Sequence, residues 1–165
     1  MTHCVPATGR PEFRARIAKS WRSRRGIPCE AANIVVTPGA KPILFFTMLA
    51  LLEPGDEVLL PDPEWPPAAG NILAAQGVPV GYKLIESDGW RPDLDEVEAK
   101  ITPKTKILYL NSPNNPTGGV LTREYLERLA AIAQAHGLWV ISDEAYEDVV
   151  FDGEHVSIAS LPGMY

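Results

Sequence analysis

Cysteine is scarce in this 165-residue sequence, which contains only Cys4 and Cys29. Two cysteines cannot build a disulfide framework, and these two lack the paired spacing of a zinc site. The sequence also has no leader in which charged residues precede an apolar stretch, and no apolar run of the roughly 18 residues that a membrane helix needs. We therefore expect free thiols, a soluble cytoplasmic protein and no membrane partner.

Positive charge is also in short supply. The formal net charge is −6 and the sequence pI is about 5.1. A nucleic-acid surface needs clustered Lys and Arg to contact phosphates. The one basic run, at residues 22–25, fits the solvated C-terminal end of a helix. No nucleic-acid partner is therefore predicted.

Short apolar runs alternate with helical patterns along most of the sequence, which is typical of a parallel sheet with crossover helices. Strands are predicted at residues 33–37, 57–60, 78–84, 106–110 and 138–142. Helices are predicted at residues 11–25, 41–52, 66–76, 93–101 and 122–136. With 165 residues, of which 45% are hydrophobic, one domain is expected. The predicted fold class is α/β, with three α/β/α layers and a mainly parallel sheet.

Candidate binding residues follow the predicted strands, because ligands of open parallel sheets bind beyond the carboxyl ends of the strands. After the strand at 33–37, Gly39, Ala40 and Lys41 form a turn into a helix, whose free N–H groups favour a phosphate. A purely structural turn is the alternative there. After the strand at 57–60 comes Trp65, whose indole can stack on a flat heteroaromatic ring or simply anchor the loop on the sheet.

The most specific string follows the strand at 106–110. Asn111, Asn114 and Asn115 stand among prolines, which indicates a rigid loop that presents side-chain amides. After the next strand come Asp143 and Tyr146, and Asp143 is expected to be partly desolvated and to need a partner. An amide, a carboxylate and a phenol at two strand ends suit a polar aromatic cofactor such as pyridoxal phosphate.

Two other interpretations of Asp143 are open. It could cap a helix or form an ion pair. A metal site is the other alternative, because three further acids lie close by: Glu144, Glu147 and Asp148. No His or Cys joins them at ligand spacing, so no metal site is predicted.

These segments resemble the class I/II aminotransferases, the aspartate and aromatic aminotransferase-like members of the fold-type I pyridoxal phosphate enzymes. Residues 9–14 are similar to the family's G-x-x-E-[LF]-R helix start, and residues 36–41 resemble its phosphate-binding turn. The strings NPTG at 115–118 and DEAY at 143–146 carry the strongest likeness, in the family's order and approximate spacing.

The resemblance implies pyridoxal 5'-phosphate as cofactor, amino acids and 2-oxo acids as substrates, and a homodimer. By it, Gly39, Ala40 and Lys41 would bind the phosphate and Trp65 would stack on the pyridine ring. It also implies that Asn115 and Tyr146 would hydrogen-bond the phenolic oxygen and that Asp143 would pair with the ring nitrogen. A nearby anion keeps that nitrogen protonated. The family's Asn-Pro bond is often cis, so the peptide between Asn115 and Pro116 is predicted to be cis.

The sequence departs from the family pattern at several positions. Cys4 stands where many relatives have a tyrosine that reaches the phosphate of the neighbouring subunit, and Pro42 replaces a common glutamine. The family's Schiff-base lysine normally lies beyond the D-x-x-Y motif, but no lysine follows Lys106. We therefore interpret residues 1–165 as part of the large domain, with the N-terminal segment, the Schiff-base lysine region and the C-terminal small domain missing. The chain would then contain no catalytic residue and be inactive alone.

Three other functions share some of these features. Aminotransferase-like domains also serve as effector-sensing modules of bacterial transcription regulators, which carry a basic helix-turn-helix upstream. Pyridoxal phosphate-dependent lyases use the same framework. A nicotinamide-binding domain would require a glycine-rich fingerprint after the first strand, where only Gly39 is found. The first two alternatives stay open on the sequence alone.

Overall fold

A computed structural model of the protein describes residues 6–165, so Cys4 lies outside the described residues. Within this range the helices are α1 (Pro11–Arg25), α2 (Ala40–Leu51), α3 (Pro67–Ala74), α4 (Leu94–Ala99) and α5 (Arg123–His136). The strands are β1 (Glu57–Asp62), β2 (Val78–Ile85), β3 (Arg91–Pro92), β4 (Thr105–Asn111) and β5 (Trp139–Asp143). Short 3-10 turns occur at Ala31–Asn33, Glu86–Asp88 and Ile158–Ser160.

The five strands form one sheet in the order β3-β2-β1-β4-β5. The pairs β2–β1, β1–β4 and β4–β5 are parallel, and only the short β3 is antiparallel to its neighbour. Parallel neighbours need crossover helices, which cover both faces of such a sheet. The prediction of an α/β fold with a mainly parallel sheet is therefore confirmed.

Apolar side chains of each central strand alternate between two cores, as the period of two in a strand requires. On one face, Leu59 and Leu108 pack with residues of α4 and α5. On the other face, Val58 and Ile107 pack with residues of α2 and α3. The molecule therefore has the three α/β/α layers that the sequence predicts.

Local signals place the helix ends. Gly137 adopts a left-handed conformation, with φ 64°, and ends α5 as predicted. Thr122 is the N-cap residue of α5, but its side chain makes no capping hydrogen bond. The Asp93 side chain accepts a hydrogen bond from the Glu96 N–H and starts α4, one residue later than the predicted start. No helix of residues 6–165 is long and apolar enough to span a membrane.

The predicted strand at residues 33–37 is wrong. The segment begins in the 3-10 turn Ala31–Asn33, and its extended part pairs with no strand of the described chain. Ile34 is buried with Ala18 and Cys29, while the N–H of Val36 donates to the carbonyl oxygen of Thr8. The apolar residues of this segment therefore pack against α1 rather than in the sheet. An alternating apolar pattern does not distinguish an extended segment that pairs in a sheet from one that packs against a helix.

Candidate cofactor site at the carboxyl edge of the sheet

The carboxyl ends of β1, β4 and β5 lie side by side, because the three strands are parallel and adjacent. Asn111 at the end of β4 pairs in register with Asp143 at the end of β5. The loop after β1 brings Trp65 to the same edge, through a contact between its neighbour Glu64 and Asn111. Three separate sequence segments therefore meet here.

Asp143 is partly buried, as predicted, and both of its carboxylate oxygens have partners. Oδ2 accepts a hydrogen bond from the Tyr109 hydroxyl at 3.2 Å, and Oδ1 accepts one from the Ala145 N–H at 3.1 Å. Burial, followed by the charge of Asp143, holds the pKa of Tyr109 far above its ordinary value. Tyr109 therefore remains a hydrogen-bond donor, and the carboxylate is held in one orientation without a cationic partner among these contacts.

Asn115 and Tyr146 lie together at the same edge. The Asn115 amide nitrogen is 3.5 Å from the Tyr146 hydroxyl oxygen, and the Tyr146 side chain is about half exposed. The peptide bond between Asn115 and Pro116 is cis, which confirms that prediction. The partly buried Asn115 amide and the exposed Tyr146 phenol face each other and offer a paired donor site for one ligand oxygen.

The first turn of α2 carries the other predicted group. Gly39 is the N-cap residue with φ 89°, a conformation that favours glycine, and no atom lies within 4 Å of the place where its Cβ would stand. Ala40 and Lys41 are exposed at the start of the helix. The Lys41 Nζ lies 5.4 Å from the centre of the Trp65 ring, so the ammonium group covers a face of the indole.

A cavity of about 470 Å³ joins the start of α2 to the end of β5. Ala40, Asp143 and Ala145 line it, together with residues of α1 such as Trp21. Gly39, Lys41, Trp65, Asn115 and Tyr146 do not line this cavity. The structure thus brings the predicted residues together in three neighbouring groups rather than in a single enclosed cavity.

The comparison with known proteins decides the family. The sequence model of the family described as "Aminotransferase class I and II" matches residues 1–163. The chain belongs to the class I and II aminotransferase family. The expected family and its fold are thereby confirmed.

Individual aminotransferases are similar over nearly the whole chain. The arginine–pyruvate transaminase AruH of Pseudomonas aeruginosa is 44% identical over 99% of this chain, which covers 42% of that protein. The aspartate/prephenate aminotransferase of Thermus thermophilus is 40% identical over 94% of the chain, which covers 40% of that protein. The aromatic aminotransferase structure of Pyrococcus horikoshii has a TM-score of 0.96 and 41% identity, with 99% of this chain and 44% of that chain covered. The chain spans about two fifths of the length of these relatives.

Five of the six lysines of this aminotransferase chain, those that follow α1, lie largely apart from Asp143. Lys100 forms an ion pair with Glu96 and donates to a main-chain carbonyl of β2. Lys104 precedes β4 and Lys106 lies near its first residue, at the end of the strand opposite to Asn111. Lys83 lies on β2, which β1 and β4 separate from β5. Lys41 stands beside Trp65, at the predicted phosphate position.

Sequence reasoning missed Glu64, which organises this edge of the aminotransferase sheet. The amide nitrogens of Asn111 and Asn114 donate to its carboxylate at 2.7 Å and 3.1 Å, so these two amides are not free to bind a ligand. Burial is the main reason that the pKa of Glu64 rises from 4.5 to about 7, and the charge of Asp143 adds to it. The sequence did contain one indication of this role, because Glu64 directly precedes Trp65, the candidate stacking residue.

A second acidic cluster lies beyond β5. His155 Nε2 is 3.0 Å from Glu144 Oε2, and single ligand atoms of Glu144, Glu147 and His155 lie within 4.8 Å of one another. A fold contact, not sequence spacing, brings His155 to the acids. Glu144 Oε1 also accepts hydrogen bonds from two serine hydroxyls, and Glu147 pairs with Arg25. The two carboxylates have protein donors without a metal ion, while the buried Nδ1 of His155 has no partner, and Arg25 opposes a cation there.

Proposed function

We propose that this chain is the cofactor-binding part of an aminotransferase that uses pyridoxal 5'-phosphate to move an amino group between an amino acid and a 2-oxo acid. The single observation that carries the proposal is the cavity shared by Asp143 and the first turn of α2. Asp143 and the N-terminal turn of α2 both line it, together with Arg25, Glu144 and Glu147. That combination suits a ligand with a cationic ring nitrogen and an anionic phosphate.

The start of α2 fits a phosphate group. The first N–H groups of a helix have no partner within the helix, and the dipole favours negative charge there. Gly39 leaves the approach open, as its missing side chain would face empty space. In this proposal Ala40 offers its main-chain N–H group, and Lys41 turns its ammonium group from the Trp65 ring to the phosphate. The Gly39 N–H already donates to the carbonyl oxygen of Thr37 at 2.8 Å, so Gly39 contributes the open approach.

The remaining predicted residues fit the ring. Trp65 would stack on one ring face once Lys41 has left the indole. Asn115 and Tyr146 would donate to the phenolic oxygen, and their 3.5 Å separation suits a shared acceptor. Asp143 would pair with the ring nitrogen, since its carboxylate has no cationic partner among its contacts.

When bound, the cofactor supplies a protonated ring that accepts electrons from the substrate α-carbon. The part of this chain in that chemistry is to hold the proton on the ring nitrogen through Asp143 and to fix the ring in place. The covalent amine is assigned to none of the lysines described above. We therefore propose that the 165-residue chain binds the cofactor and does not catalyse transamination by itself.

The wider setting follows the family. We propose that the chain forms part of the large domain of a longer protein, that this protein is a homodimer and that it works in the cytoplasm. The relatives named above are all aminotransferases or transaminases, so nothing among them favours a transcription regulator or a lyase. No substrate side chain is assigned from these residues.

The test is a binding titration with pyridoxamine 5'-phosphate, which has the same ring and phosphate but no aldehyde to react with lysines. The wild-type chain is expected to bind it, with quenching of tryptophan fluorescence. Asp143→Asn removes the charge and keeps the shape, and should weaken binding about tenfold or more. Asp148→Asn is the matched control, because Asp148 is 74% exposed and pairs with Arg24.

Two results would contradict the proposal. The wild-type chain could show no saturable binding, or Asp143→Asn could bind as tightly as Asp148→Asn. Catalysis is checked separately, with pyridoxal 5'-phosphate and an amino-acid/2-oxo-acid pair. Turnover above the rate with cofactor alone would disprove the statement that this chain is inactive by itself.

A further inference from the structure

The side chain of Glu64 links two loops of the candidate site. Its Oε1 accepts hydrogen bonds from its neighbour's main chain, the Trp65 N–H at 2.8 Å, and from the Asn111 amide at 2.7 Å. Its Oε2 accepts one from the Asn114 amide at 3.1 Å. One carboxylate therefore connects the loop after β1, which carries Trp65, with the loop after β4, which carries Asn115.

Two of these three donors cannot become acceptors. The Trp65 donor is a main-chain N–H. The amide of Asn114 is fixed by its other end, because its Oδ1 accepts from the N–H of Thr117 at 3.1 Å and from the Thr117 hydroxyl at 2.7 Å. Turning this amide over would lose the bond from the Thr117 N–H, because a main-chain N–H can only donate. Asn111 is different, because its Oδ1 is buried without a partner and its amide can turn over.

The turn fixed by Asn114 is the one that presents Asn115. The Asn114 N–H donates to the carbonyl oxygen of Gly119, and the Gly118 N–H donates to the carbonyl oxygen of Asn114. Movement of Asn114 must therefore move Asn115, the next residue along the chain. On the other side, Glu64 is the direct neighbour of Trp65 and holds its N–H.

A carboxyl group at position 64 satisfies this arrangement, whereas a side-chain amide does not. The fixed donors point at different oxygens, Trp65 at Oε1 and Asn114 at Oε2. An amide at position 64 presents one acceptor and one donor, so a donor must face either Trp65 or Asn114. The cost is an unpaired polar group at a partly buried site.

We propose that Glu64 is a positioning residue that holds the Trp65 ring and the Asn115 amide in the relative geometry required by the cofactor ring. This inference rests on the proposed function, because the ring is what the two residues would share. Glu64 itself is not proposed to touch the cofactor. It acts through its hydrogen bonds to Trp65 and Asn114.

The test exchanges donor and acceptor between two positions. Glu64→Gln places an N–H against the Asn114 amide and should weaken pyridoxamine 5'-phosphate binding about tenfold. Adding Asn114→Asp replaces the amide nitrogen with an oxygen that accepts from that N–H, while the other oxygen still accepts from Thr117. The double variant E64Q/N114D should therefore recover most of the affinity.

The matched control is Glu57→Gln. Glu57 lies at the opposite end of β1, and its Oε2 accepts from the hydroxyls of Thr102 and Thr105 at 2.6 Å and 3.2 Å. Hydroxyl groups can accept as well as donate, so an amide is tolerated there. Glu57→Gln should bind pyridoxamine 5'-phosphate as the wild type does.

A second measurement does not depend on the ligand. In NMR spectra of the ligand-free chain, Glu64→Gln should shift the Trp65 indole N–H and the Asn115 side-chain amide signals, and E64Q/N114D should return them toward their wild-type positions. Unchanged signals in Glu64→Gln, or a double variant that restores neither signals nor affinity, would overturn the inference. If Glu64→Gln does not fold, the double variant must fold and show wild-type-like signals. A wild-type chain that binds no ligand would refute the proposed function, while the NMR signals would still decide the role of Glu64.

Discussion

The hydroxyl group of Tyr109 donates a hydrogen bond to Oδ2 of Asp143 across 3.2 Å, from the centre of one strand to the tip of the next. Tyr109 is fully buried. Burial and the Asp143 charge hold the pKa of Tyr109 so high that it keeps its proton. Because the Ala145 N–H holds the other oxygen, the carboxylate orientation is set before any ligand binds.

The first prediction concerns this bond. Tyr109→Phe should lower the free energy of unfolding by about 1–2 kcal/mol, since a hydrogen bond to a charged group is lost. It should also weaken pyridoxamine 5'-phosphate binding several-fold, because Asp143 loses its fixed orientation. Tyr82→Phe is the control: Tyr82 is equally buried, but its hydroxyl donates to the main-chain carbonyl of Tyr109 at 3.0 Å. Equal losses of affinity in both variants would show that Asp143 orientation is unimportant.

The second prediction uses the pKa of Glu64, which burial raises from 4.5 to about 7. The folded chain keeps this proton up to about pH 7, whereas the unfolded chain releases it near pH 4.5. The stabilising contribution of this group is therefore fully present below pH 4.5 and is lost as the pH rises through 7. We expect the free energy of unfolding to fall between pH 5 and pH 8 by more in the wild type than in Glu64→Ala.

The measurement is urea unfolding of both proteins at the two pH values. Burial also raises the pKa of Glu147, but that group is common to both proteins and cancels in the comparison. Equal pH dependence in the two proteins would contradict the prediction. At the higher pH the ionised Glu64 stays buried because its carboxylate accepts hydrogen bonds from the Trp65 N–H and the Asn114 amide. The chain therefore keeps the geometry of the two loops at a lower free energy of unfolding.

The sheet could be predicted from the sequence for four of its five strands. Runs such as Ile107 to Leu110 are buried on both faces, and a continuous apolar run between turn residues is a strong signal of a buried parallel strand. The segment at 33–37 carries a similar apolar pattern but pairs with no strand in the described chain. A segment forms a strand only when another strand lies beside it, and the local sequence does not show whether one does. β3, with two residues, is too short to give any periodic signal.

The candidate site was less accessible to sequence reasoning. Asp143, Asn115 and Tyr146 stand at strand ends, so their shared edge follows from the rule for parallel sheets. The contact of Glu64 with Asn111 and Asn114 joins residues nearly 50 positions apart. Likewise, His155 reaches Glu144 by a loop path that no spacing rule describes. Contacts of this kind depend on packing and become visible only in the structure.

The third prediction concerns β5. Within residues 6–165 this strand pairs with β4 on one side and with no strand on the other, and Trp139 is 56% exposed. An edge strand with an exposed aromatic residue promotes association between chains. We expect the 165-residue chain to self-associate with rising concentration in sedimentation measurements. Trp139→Lys should shift it toward monomer, whereas Leu73→Lys, at a 61% exposed position on α3, should have less effect. A monomer at all concentrations would contradict this.

The last prediction compares two glycines. A Cβ at Gly119 would stand 2.8 Å from the Trp90 Cβ and 2.9 Å from the carbonyl oxygen of Gly89, so the backbone itself would have to move. Gly119 also accepts the Asn114 N–H, and the strain would pass to the turn that carries Asn115. Gly119→Ala should therefore lower the free energy of unfolding by about 1–3 kcal/mol.

Gly70 provides the opposite case, because it lies within α3 and nothing stands within 4 Å of its missing Cβ. Gly70→Ala should raise the free energy of unfolding by about 0.5–1 kcal/mol, since alanine loses less conformational freedom than glycine in a helix. Urea unfolding of both variants checks the signs. The Asn115 amide signal in NMR spectra should shift in Gly119→Ala alone. Destabilisation by Gly119→Ala without that shift would mean that the close packing of Gly119 against Trp90 supports the fold but not the geometry of the Asn115 turn.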